Sequence, residues 1–191
     1  MRIISFAGLF LLGMCLVSGC RGKNNAELEV VEAKDGSFTI KMPGKPEYIN
    51  QKVAIGGGAT ISINNYDLIT RYINYTAGYS EYPRGFLRTK GRNAKEIFDS
   101  AQQATIDKLG GTVIHVGDLA SRGFPQRTFT LKCYVPESSG NMILRQESYL
   151  VKGRMYIIQS LVFVDKAEKY KELIDEYHDS LVLNPNAIKT R

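Results

Sequence analysis

The chain has 191 residues and a formal charge of +6, from 25 Lys and Arg against 19 Asp and Glu. That length suits one domain with a real core. The charge permits contact with anionic headgroups or acidic polymers, and it does not demand nucleic acid.

Taken in chain order, the first element lies outside the fold. Arg2 supplies a positive start, and Ile3 to Val17 are almost wholly apolar. The run has the length of a secretory signal core and falls short of the roughly 20 residues that span a bilayer as a helix. Ser18 and Gly19 are small, as a signal peptidase requires, and Cys20 follows at once. The series Val17-Ser18-Gly19-Cys20 resembles the lipobox of bacterial lipoproteins. The resemblance implies a signal peptide over 1–19, cut before Cys20, and a thiol carrying a diacylglyceryl group, often with amine acylation. Two or more acyl chains give stable attachment where one does not. A plain cleaved signal peptide and a retained anchor are the alternatives. Residues 20–27 then read as the lipidated Cys and a short polar tether. Arg21 is not the Asp that often retains such proteins at the inner membrane. In a diderm cell the expected place is the outer membrane, facing the periplasm. An exported address argues further against nucleic acid.

The same reading leaves Cys133 as a lone thiol. In "TFTLKCYV" (128–135), alternation puts Phe129, Leu131, Cys133 and Val135 on one strand face, so Cys133 is expected inside.

The domain is expected over 28–184. Leu28 to Val31 reads as a short strand, and Asp35-Gly36 as a turn. "SFTIKMP" carries Phe38, Ile40 and Met42 on one face. "YINQKVAI" and "ATISINNYDLI" flank Gly56-Gly57-Gly58 as a hairpin. "LITRYINYTAGYS" reads as another strand that includes Tyr72, and 80–92 as a loop. The period then becomes helical from Asn93 to Leu109, with Asn93 and Glu96 as a capping pair and Gly110-Gly111 as the stop. "TVIHVGDL" and "QRTFTLKCYV" are strands, separated by Gly123 and Pro125. "MILRQESYLV" and "RMYIIQSLVFV" form a hairpin across Lys152-Gly153. The second is apolar on both faces, which predicts a central position. Asp165 is expected to cap a last helix whose stripe is Tyr170, Leu173, Ile174, Tyr177 and Leu181. Residues 185–191 read as a flexible tail. Antiparallel strands with two helices argue an α+β fold, helices packed on one sheet.

"FTIKMPGKP" (38–46), "EIFDSAQQATIDKLGG" (96–111), "GRMYIIQSLVF" (153–163) and "YHDSLVL" (177–183) occur in an order that resembles the domain of PsbP and Mog1 proteins. Many bacterial lipoproteins carry that domain. The resemblance implies an antiparallel sheet between helices, an α/β/α sandwich. It implies that relatives bind and organise other proteins. No binding residue of a relative maps onto this chain.

Chemistry-bearing motifs are sparse. His115 and His178 have no ligand-spaced carboxylates or second His, and each reads as structural. No metal or cofactor is expected. His178 is expected at the edge of its helix stripe. The most suggestive surface is the loop with Arg84, Arg88, Lys90 and Arg92, continued by Lys95 and interleaved with Tyr79, Tyr82 and Phe86. Cationic and aromatic groups together suit a partner protein or an anionic polymer. The competing reading is a solvated basic loop whose aromatics fold back on the sheet. The expected function is a lipid-anchored, non-catalytic binding or assembly module of the envelope. The alternative is an envelope hydrolase whose site converges only in the fold, for instance Glu147 or Asp118 with His115.

Overall fold

The structure is a computed structural model, and it describes residues 27–55, 59–82, 93–121 and 123–188. Strands β1 (Glu29–Glu32), β2 (Phe38–Met42), β3 (Glu47–Ile55), β4 (Ala59–Ile69) and β5 (Ile73–Glu81) come first. Helix α1 (Ala94–Leu109) follows, then β6 (Gly111–Ser121), β7 (Phe124–Val135), β8 (Gly140–Val151) and β9 (Arg154–Phe163). Helix α2 (Lys171–Asp179) and β10 (Val182–Leu183) close the domain. The fold is α+β. A seven-stranded sheet runs β3-β4-β5-β9-β8-β7-β6, and a small sheet runs β1-β2-β10. Every pairing is antiparallel.

β9 explains the layering. It lies in mid-sheet, between β5 and β8, and both of its faces are buried because a layer packs on each side. Tyr156, Ile158 and Val162 point to one side, where they meet Ile174 and Tyr177 of α2 and Phe38, Ile40 and Met42 of the small sheet. Met155 and Ile157 point to the other side, against Ile97 and Ala101 of α1. Farther along that side, Leu161 joins Phe129, Leu131 and Cys133 under Ile106 and Leu109. Cys133 is 3% exposed.

Local chemistry sets the helix ends. Asn93 Oδ1 accepts the Glu96 amide at 2.9 Å, and the Gly110 amide donates to the Ile106 carbonyl at 2.9 Å. Gly110 has φ +59°, a conformation costly for any residue with a Cβ. Lys152 and Gly153, at φ 47° and 81°, make the tight β8–β9 turn.

Several sequence expectations shift. Tyr72 lies outside β5, because Thr70 closes a turn on the Ile73 carbonyl and β4 ends at Ile69. Pro125 is inside β7, not between strands. It sits one residue beyond the last β8 partner, so on that side its missing N–H breaks no ladder bond. Asp165 does not cap α2; it pairs with Lys166 in a short 3-10 turn, and the helix begins at Lys171. The expected flexible tail is packed as far as Ile188, which is 6% exposed in the core that holds α2. Strand β10 pairs with β2 through only two residues, too few to show a period.

Candidate functional site

The sequence-predicted site lies mostly outside the described residues: Cys20, Arg84, Phe86, Arg88, Lys90 and Arg92 all do. Its flanks are described. Lys95 bonds Asp99 at 2.9 Å. Tyr79 is buried against Phe38 and Tyr156, and half-buried Tyr82 packs near Ile61 and Met155. His115 is exposed opposite Thr130, and among the described residues it joins no group of His, Cys, Asp or Glu that could hold a metal ion. Asp118 instead takes Arg127, at 2.6 and 2.8 Å, and Arg127 also reaches Asp99 on α1. That guanidinium, its side chain 4% exposed, clamps α1 to β6 and β7.

The polar centre of the molecule is elsewhere, under α2. Glu147 on β8 collects donors from β7 and β8 and faces a histidine of α2. Arg145 donates to Oε1 at 2.9 Å, and Tyr149 and Gln126 donate to Oε2 at 2.8 and 3.2 Å. His178 Nδ1 lies 3.1 Å from Oε1, off-line for an aligned hydrogen bond. Its Nε2 is 3.0 Å from Ser160 Oγ on β9. Burial alone would raise Glu147; His178, Tyr149 and Arg145 together outweigh it and hold the carboxyl at about 2. Burial lowers His178, against the pull of Glu147, so the ring is neutral at pH 7.

A Ser, a His and a Glu at these distances have the spacing of a nucleophile, base and orienting acid. The surroundings do not complete such a site. Ser160 is 1% exposed and His178 0%. Ser160 sits on a strand paired on both sides, opposite Tyr75 and Arg145, so its backbone is committed to the ladders instead of an oxyanion. The arrangement locks α2 to β8 and β9. Among the described residues no three His, Cys, Asp or Glu side chains gather to hold a metal ion.

His178 is therefore not at the stripe's edge but at the helix–sheet contact. Sequence reasoning missed it because Glu147, Ser160 and His178 lie on three elements. The hairpin register across Lys152-Gly153 could have placed Arg145 opposite Ser160, but nothing in it foretells where α2 docks.

No family sequence model matches the chain, and no curated protein matches it in sequence. Solved structures do match. Cyanobacterial PsbP (CyanoP) from Synechocystis sp. PCC 6803 superposes with a TM-score of 0.51 at 15% identity, over 88% of this chain and 99% of that one. The domain is PsbP-like in fold. LpqN of Mycobacterium tuberculosis, described as involved in cell envelope biogenesis, gives 0.50 at 10% identity over 83% and 91%. In this PsbP-like domain, the Glu147 network occupies the layer between the central sheet and α2.

Proposed function

We propose that this chain is a lipid-anchored protein of the cell envelope whose PsbP-like domain binds or organises a partner without catalysing a reaction. The observation that carries the non-catalytic reading is the closure around Ser160. The one nucleophile–base–acid spacing described is sealed beneath α2, with its backbone donors engaged. The address rests on Val17-Ser18-Gly19-Cys20 after an apolar run. LpqN, which shares the fold, is itself an envelope-biogenesis protein, and that supports the same setting. Arg21 favours the outer membrane in a diderm cell. The partner is an envelope protein or an anionic polymer, engaged by Arg84, Arg88, Lys90, Arg92 and Phe86.

The address is tested by Cys20→Ser, which should abolish lipid labelling and move the protein to the soluble fraction. Persistence of the uncleaved variant in membranes would show a true anchor instead. The partner surface is tested by in-cell crosslinking. Charge reversal of Arg84, Arg88 and Arg92 together should abolish capture, and unchanged capture sinks that assignment. Labelling of Ser160 by a fluorophosphonate would overturn the non-catalytic reading and favour a hydrolase.

A further inference from the structure

On the α1 side of the large sheet, β4, β5 and β9 carry a polar patch between two apolar clusters. The register sets Asn65 beside Gly78, Asp67 beside Thr76, and Thr76 beside Gln159. Neighbouring strands are about 4.8 Å apart. Asn65 and Asp67 therefore flank β5 from one side and Gln159 from the other. Gly78 makes the room: a Cβ there would lie 2.5 Å from Asn65 Oδ1 and would also strike the Asn64 carbonyl.

The amides have a direction. Gln159 Nε2 donates to Gln146 Oε1 at 2.5 Å, and Gln146 Nε2 donates to Ser148 Oγ at 3.0 Å. Aligned donors polarise one another and leave Gln159 Oε1 as the acceptor end. Among the described residues no aligned donor reaches Gln159 Oε1, Asn65 Oδ1 or either Asp67 oxygen. Gln159 is 4% exposed and Asn65 1%. Thr76 lies close enough to favour the Asp67 carboxylate without an aligned bond, and Lys108 at the exposed end of α1 acts on it as a nearby charge. Burial raises the Asp67 carboxyl to about 6.

Buried oxygens that all need a donor, with no nitrogen or sulfur among them, are ligands for a hard cation. Asp67 is the one carboxylate among these ligands; exposed Glu47, opposite it on β3, adds negative charge at the rim, against the positive charge of Lys108. A single carboxylate ligand balances a single charge, and neutral amide and hydroxyl oxygens add ligands without adding charge. We propose that Asn65, Asp67, Thr76 and Gln159 bind one monovalent alkali cation, Na⁺ or K⁺, across β4, β5 and β9 beneath α1.

The test is thermal unfolding of the full-length chain in detergent, at pH 7.5, in NaCl, KCl, CaCl₂ or choline chloride at matched ionic strength. One alkali chloride should raise Tm above choline by about 5 °C at saturation. The gain should vanish in Asp67→Asn. That variant should be at least as stable as the parent in choline, which separates lost binding from lost folding. Equal Tm in alkali and choline salts would overturn the proposal: the amides would then run the other way, with Gln159 donating toward Asp67. A larger gain from Ca²⁺ would overturn the charge assignment, and a gain that survives in Asp67→Asn would overturn the site.

Discussion

Arg154 on β9 holds Asp35 of the β1–β2 turn, Nη1 to Oδ2 at 2.5 Å, and so ties the small sheet to the large one. Its other nitrogen bonds Glu81, and the guanidinium lies 4.5 Å from the Tyr79 ring centre. Burial works against the charged guanidinium, but the Asp35 and Glu81 contacts outweigh it and hold it protonated. Asp35 has its carboxyl held below the usual range: burial pushes it up, and Ser37 and Arg154 more than offset that. Arg154→Leu should destabilise the domain by about 2–3 kcal/mol in urea unfolding. That is below the range for a fully buried pair, because Asp35 and Glu81 remain partly hydrated. Arg154→Lys should retain part of the loss, since an ammonium cannot fork to two carboxylates and stack on a ring.

The Glu147 network makes the fold acid-sensitive in two stages. His178 has a folded pKa below its ordinary 6.5. The unfolded chain therefore takes up that proton first, and stability falls as pH drops below about 6.5. Glu147, at about 2 folded against 4.5 unfolded, adds a second loss between those values. Circular dichroism across pH 7 to 2 should show both stages, and His178→Asn should remove the first. Glu147→Gln should cost about 2–3 kcal/mol at pH 7, because Arg145 keeps Asp175 and some water.

Asp67 works in the opposite sense. Its folded carboxyl is raised to about 6 from 3.8 by burial. The folded state holds the proton longer, so this residue lowers stability as pH rises from about 4 through 6. In alkali-free buffer Asp67→Asn should gain about 1–3 kcal/mol at pH 7.5 and nothing near pH 3.5, read from urea midpoints at the two pH values.

Cys133 is the one thiol within residues 28–191. It is buried beside Leu131 and Met142, and burial pushes its pKa up. A thiol reagent should label it slowly in native buffer, at the rate of opening, and at once in denaturant. Immediate labelling in native buffer would show that the β7–β8 face under α1 opens.

Tyr177 OH donates to the Thr76 carbonyl at 2.7 Å and pins α2 over β5. Tyr177→Phe should cost about 1–2 kcal/mol, because a buried acceptor loses its partner while the ring stays packed. The urea midpoint should fall without a change in slope.

The elements that the sequence foretold are those with a long single period. β9 reads as central because "RMYIIQSLVF" is apolar on both faces, and it is buried on both. α1 reads from Asn93 to Gly110 because cap, stripe and stop agree, and the structure has all three. β10 and the 3-10 turn at Val164–Lys166 escaped because each has only two or three residues, shorter than any period. The basic loop with Arg84, Arg88, Lys90 and Arg92 reads as a binding surface from composition alone, and those four residues lie outside the described residues.

Alternation and capping are local: they depend on neighbours within one turn or one strand. The sequence alone therefore determined the long strands, the two helices, the inward Cys133 and the lipobox-like N-terminus. Which polar side chains meet depends on strand order and on where each helix lands. Only the tertiary structure brought His178 onto Glu147 and Ser160, Arg154 onto Asp35, and Asp67 beside Thr76 over a bare Gly78. Those contacts cross from α2 to the sheet, from the large sheet to the small one, and from strand to strand, and no spacing along the chain encodes them.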